Sequence, residues 1–165
     1  GTQIEAHAGP LTRGDLEEAP YTAYVAYKAT PLAIVPTPQA FFGEQIALLD
    51  YQIDTSQDQI WHIQLRWQAQ NTLTQTYTTF IHLRQDDQVI AQVDTQPGQG
   101  YYPTHMWRSG DIVRDEYTIQ ITTPLPTNVP PDVVIGFYHW PTMAHLPVTT
   151  PAGDALGTEL LLTEE

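Results

Sequence analysis

Hydrophobic and polar positions alternate with a period of two along much of this chain. Between Ile60 and Ala69, the residues Trp61, Ile63, Leu65, Trp67 and Ala69 share one parity, while His62, Gln64, Arg66 and Gln68 share the other. Successive side chains of an extended chain point to opposite faces, so this pattern predicts a half-buried β-strand. The same reasoning predicts strands over 46–53, 77–84, 88–95, 112–121, 133–140, 144–148 and 159–163. An additional edge strand is expected over 21–28, before a stretch that Pro31, Pro36 and Pro38 break repeatedly. Proline cannot donate to a ladder, which confines that stretch to an edge or a connection.

Polar turns separate these runs. Gln85, Asp86 and Asp87 form a short loop of the kind that closes a hairpin. Across it, Thr79, Ile81 and Leu83 are expected to share a face with Val89, Ala91 and Val93. The longest irregular stretch, 96–110, holds Pro97, Gly98, Gly100, Tyr101, Tyr102, Pro103, Met106 and Trp107. A loop of this length in a compact domain is functional or is packed by its own side chains. After it, Val113, Asp115, Tyr117, Ile119 and Ile121 fall on one strand face. About nine strands with such connections imply an all-β fold, a two-sheet antiparallel β-sandwich of jelly-roll or immunoglobulin-like topology. Residues 1–20 are small and polar and read as a linker or N-terminal arm, leaving 21–165 as a single β-sandwich domain.

Composition narrows the function classes. At 165 residues and 41% hydrophobic, the chain can bury a core without a metal or disulfide. It has no cysteine, which excludes disulfides, thiolate zinc sites and cysteine nucleophiles. Nineteen acidic residues against six basic ones give a net charge of −13, which repels nucleic acid and anionic membrane surfaces. No segment has the ~18 consecutive apolar residues of a membrane span, so this segment is not expected to insert. The start at Gly1, with no methionine and no signal peptide, suggests a domain cut from something longer.

The inventory of chemistry is sparse. The six histidines, His7, His62, His82, His105, His139 and His145, form neither a His-x-His pair nor a His-Glu-x-x-His motif. His62 and His82 have the option of meeting across neighbouring strands. Asp50, Asp54, Asp58, Asp86 and Asp87 offer oxygen ligands for calcium, but without EF-hand spacing they read first as turn residues. No metal or cofactor is therefore expected. Ser56 and Ser109 are the only serines and neither lies in a nucleophile elbow. Asp94, Asp115 and Glu116 flank the long loop, and paired acids facing a cleft are what glycoside hydrolysis requires. Asp115, however, sits on an apolar face and must be hydrogen-bonded there. The competing reading is that it ties down the 96–110 loop. Tyr101, Tyr102, Trp107 and Trp140 are the candidate ligand-binding residues, because flat aromatics at a sandwich edge stack on sugar rings. They are equally suited to plugging the sandwich.

Several segments carry a family resemblance. They are Phe80-Ile81-His82-Leu83, Val89-Ile90-Ala91-Gln92-Val93-Asp94-Thr95-Gln96-Pro97, Tyr102-Pro103-Thr104, and Trp107-Arg108-Ser109-Gly110-Asp111-Ile112-Val113-Arg114-Asp115. Val134-Ile135-Gly136-Phe137-Tyr138 and His145-Leu146-Pro147-Val148 complete the set. Together, over about 44–163, they resemble the extracytoplasmic C-terminal β-sandwich domain of large multi-pass bacterial membrane proteins similar to dolichyl-phosphate-mannose-type glycosyltransferases. The resemblance implies an accessory domain outside the cytoplasmic membrane, with the transferase chemistry in a separate membrane part. No catalytic residue carries over, because the family's acidic catalytic motif has no matching position. The expected partners are a glycan or acceptor, or the membrane part of the parent chain. Asp94, Gly110 and Asp115 are expected as structural anchors of the loop, with Gly110 making a tight turn and the two aspartates accepting backbone hydrogen bonds. The alternatives are a carbohydrate-binding module of a secreted enzyme, a spacer without a ligand, and a small hydrolase using Asp94 and Asp115.

Overall fold

The computed structural model describes residues 2–10, 23–31, 34–57, 59–122 and 129–163. They form an all-β architecture of two sheets packed face to face, the sandwich expected from the alternating pattern. Within the expected N-terminal arm, Thr2–Pro10 (β1) is a strand, antiparallel to Ala23–Pro31 (β2). The other long strands are Ile46–Gln57 (β4), Ile60–Ala69 (β5), Thr78–Gln85 (β6), Gln88–Thr95 (β7), Asp111–Gln120 (β8) and Asp132–His139 (β9). Short strands complete the set: Ala40–Phe42 (β3), Ala144–His145 (β10), Val148–Thr149 (β11), Ala155–Gly157 (β12) and Leu160–Leu162 (β13). Thirteen strands among the described residues therefore replace the expected nine. The extra ones are mostly two or three residues long, too short to show a period.

The larger sheet runs β12-β11-β3-β4-β5-β8-β1-β2, and the smaller runs β10-β9-β6-β7 with β13 also paired to β9. All pairings are antiparallel except β1 with β8, which is parallel over three residues. The expected single strand over 144–148 is two strands in different sheets. β10 pairs with β9, and β11 pairs with β3. Leu146 and Pro147 carry the chain from one sheet to the other, and proline's missing N–H suits it to that break.

Trp61, Ile63, Leu65, Trp67 and Ala69 all face the core, as their parity requires. Opposite them, the small sheet contributes Ile81, Leu83, Val133, Ile135 and Phe137. An aromatic trio closes the centre: Trp67 meets Phe42 at 5.5 Å and Phe137 at 4.8 Å, and Phe42 meets Phe137 at 5.5 Å, all edge to face. The expected hairpin is present, turning at Asp86 and Asp87 with φ of 48° and 61°. Two successive left-handed residues make the type I′ turn that matches strand twist. One detail of its face differs. A register shift between Leu83 and Arg84 places Val89 opposite Arg84, and Val89 is exposed while Ile90 packs against the core. A bulge inserts one residue and so reverses the parity beyond it.

Truncation of Phe137 to alanine removes the only aromatic that the small sheet gives to the trio. We expect it to lower unfolding free energy by ~3–5 kcal/mol, read from the midpoint of denaturant melts with an unchanged m-value.

Candidate functional site

The 96–110 loop is held from within. Asp115 lies on the inward face of β8 and is 1% exposed. Its carboxylate accepts the backbone N–H of Gly98 at 2.9 Å and the hydroxyl of Tyr117. Burial pushes its pKa up to about 6 from 3.8, partly offset by the Tyr117 hydroxyl, by the Gly98 and Glu116 amides, and by the nearby Trp67 indole N–H. Trp67 Nε1 is itself buried and stops short of a hydrogen bond. Burial likewise pushes the Tyr117 hydroxyl well up, reinforced by the adjacent carboxylate. Asp115 is thus the expected anchor.

Gly110 is another anchor. Its φ of +87° is the left-handed conformation that glycine adopts without strain, and its N–H bonds Ala69 O at 2.8 Å. The remaining tie comes from Asp111, which sequence reasoning passed over. Asp111 Oδ2 accepts the Arg108 N–H at 2.8 Å and the Tyr102 hydroxyl at 3.1 Å. Its signal was local: an aspartate three residues after Arg108 can fold back on the turn. Thr104, fully buried, also pins the loop by donating to Gln75 O and accepting from the Tyr77 N–H, each at 2.8 Å.

The expected strip of four aromatics is not formed. Trp107 is fully buried, with its indole N–H donated to Tyr102 O at 3.0 Å, and Tyr102 is buried beside it. Both plug the sandwich, because their polar tips find partners inside the loop. Tyr101 remains 43% exposed and Trp140 is 66% exposed.

Asp94 also departs from its expected role. It points outward from β7 and meets His82 Nε2 at 3.3 Å across the sheet. Asp94, on the outer face of the small sheet, and Asp115, on the inner face of the large sheet, are therefore separated by the core and share no cleft. His62 and His82 do not meet, since β5 and β6 belong to different sheets. Among the calcium candidates, Asp50 is bound to Arg66, Asp54 accepts the Ser56 N–H at 2.9 Å, and Asp58 lies outside the described residues. No three His, Asp or Glu side chains converge among the described residues. A groove of about 720 Å³ lies along Tyr51–Ser56, but Asp54 is its only lining carboxylate.

What the structure does assemble is an aromatic cluster on the outer face of the small sheet. Strand parity puts Phe80 and His82 of β6, Tyr138 of β9 and His145 of β10 on that face, opposite the inward Ile81, Ile135 and Phe137. Phe80 lies 4.9 Å from His82, 5.2 Å from His145 and 6.3 Å from Tyr138. It covers Gly136, its cross-strand partner, where a Cβ would stand 2.4 Å from the ring. Tyr138 lies 5.7 Å from His145 and 6.5 Å from Trp140. Burial raises the Tyr138 hydroxyl pKa, and the Asp94 carboxylate adds to the shift. At the other end of the face, Arg84 forms a two-pronged pair with Glu159 at 2.5 and 2.6 Å. That pairing raises the Arg84 pKa and lowers that of Glu159. Of this cluster, the sequence pointed to Trp140 and, in other roles, to Asp94, His82 and His145. Its members become neighbours through pairing between strands up to 65 positions apart (Phe80 to His145).

Phe80 and Tyr138 are themselves buried within the cluster, so chemically this face presents the open Trp140 ring together with carboxylate and imidazole edges. No protein-family model matches the chain, and no curated protein or solved structure matches it.

The buried acid gives a pH prediction. The folded carboxyl holds its proton to about pH 6 whereas the unfolded one releases it near 3.8, so folding takes up a proton between these values. Stability from this group is full below pH 4 and is lost as pH rises through 6, a change of ~3 kcal/mol. Asp115→Asn keeps an acceptor for Gly98 but does not titrate. The stability difference between wild type and variant should change by that amount between pH 4 and 7 in urea melts. Parallel pH profiles would show that the carboxyl is not held in the interior.

Proposed function

We propose that this chain is a non-catalytic accessory domain that contacts a glycan or glycan-bearing acceptor through the outer face of its small sheet. The carrying observation is Trp140. It stands at the end of β9, 66% exposed, beside Tyr138 and at the margin of a platform whose rings are already fixed by packing. An exposed indole on a rigid support costs little conformational entropy to engage, and aromatic anchors of this kind dominate recognition surfaces. The hydrogen-bonding groups needed around a stacked sugar ring lie on the same face, in Asp94 and His145.

The setting follows from the resemblance. The domain belongs on the extracytoplasmic side of a glycosyltransferase-like membrane protein, and chemistry is assigned to the membrane part. A non-enzymatic role is supported by the separation of Asp94 from Asp115, because inverting and retaining hydrolysis both need two carboxyls on one substrate. The inward position of Asp115 and its tie to Gly98 leave it serving the loop.

Isothermal titration against a panel of oligosaccharides, followed by Trp140→Ala, tests the reading. The variant should lose at least ~10-fold in affinity, a cost of ~1.4 kcal/mol or more, with its melting temperature unchanged because the side chain supports little of the core. Undiminished binding in the variant would move the contact elsewhere.

A further inference from the structure

The charge on this face specifies which glycans it takes. Arg84 is the only guanidinium on the outer face of the small sheet among the described residues, and Glu159 occupies both of its prongs. Asp87 and Asp132 lie close enough to Arg84 to raise its pKa further, so this end holds three carboxylates around one cation. Asp94 adds a fourth carboxylate in the aromatic part of the face, where His82 is its partner. The other described guanidiniums are placed elsewhere. Arg66 and Arg114 belong to the large sheet, with Asp50 and Glu116 beside them, and Arg108 is in the loop.

A uronate, sulfate or phosphate on a sugar needs a cation free to form charge-assisted hydrogen bonds, typically an arginine fork. This face offers a fork that is already closed and a surround of like charge. A cationic ligand would find its open carboxylates, Asp87 and Asp132, at the far end of β9 from Trp140, because Glu159 is neutralised by Arg84 and Asp94 is paired with His82. What remains open is the apolar plane of Trp140 and acceptor lone pairs. A carboxylate has about four lone-pair sites, so Asp94 keeps capacity for sugar hydroxyls after engaging the His82 imidazole and the Tyr138 hydroxyl. The C–H face of a pyranose and its neutral hydroxyls match that pair of features.

We infer that the Trp140–Tyr138–His145–Asp94 surface is a subsite for neutral hexopyranoses and excludes anionic saccharides. The inference rests on the glycan-contact reading above and adds the ligand class to it. The Arg84–Glu159 pair then acts as a selectivity element, since it withholds the cation that an acidic sugar would use.

The test is titration of the whole chain at about physiological salt with three kinds of probe. They are neutral hexasaccharides of gluco, manno and galacto configuration, a galacturonate hexamer, and hexalysine. The expected result is saturable binding of at least one neutral hexasaccharide, sensitive to Trp140→Ala, with the galacturonate at least ~10-fold weaker. Glu159→Gln, which frees the Arg84 fork, is expected to raise galacturonate affinity by ~10-fold and leave the neutral sugar within about twofold. Galacturonate binding as tightly as the neutral sugars in the wild type overturns the neutral-ligand inference and leaves the glycan reading intact. Binding of hexalysine in preference to every saccharide, or no binding by any saccharide, overturns both.

Discussion

The structure depends on one contact, the edge-to-face meeting of Trp67, Phe42 and Phe137 between the sheets. Trp67 and Phe42 come from the large sheet and Phe137 from the small one. Sheet faces this wide stabilise a domain only when they exclude water from each other. The trio fixes how the sheets sit, because edge-to-face rings have a preferred geometry as well as area. Around it, residues of alternating parity from β5, β6, β8 and β9 complete the core.

That closure explains the unusual placement of Asp115. A carboxyl on the inward face of β8 is enclosed when the sheets meet, so desolvation governs its titration. The Gly98 amide and the Tyr117 hydroxyl satisfy its oxygens. A loop that would otherwise cross the sandwich edge loosely is thereby tied into the interior. Asp111, Gly110 and Thr104 complete the tie, and Tyr102 and Trp107 become filling for that end of the domain.

The same closure determines what is left outside. With Ile81, Ile135 and Phe137 facing in, Phe80, His82 and Tyr138 must face out. A glycine at position 136 gives Phe80 a bed to lie on, which packs aromatic rings on a surface where side chains ordinarily stand separate. Trp140, next in parity but in the turn just past the end of β9, projects beyond this platform. This outer aromatic face is therefore a consequence of register. One residue of slip in β6 or β9 would exchange it with the core.

The sequence by itself determined the fold class and most strand positions, because period-two alternation is a local property of the chain. It also determined the inward parity of Asp115, and hence its need for hydrogen bonds, and the left-handed suitability of Gly110. It did not determine the bulge that turns Val89 outward, or the change of sheet at Leu146 and Pro147, because both depend on partners distant in sequence. Nor did it separate Trp107, which is buried, from Trp140, which is exposed; an indole in a loop has the same local pattern in either setting. The grouping of Phe80, His82, Tyr138 and His145 was decided only by the tertiary structure, because antiparallel register brings together residues that no spacing along the chain relates.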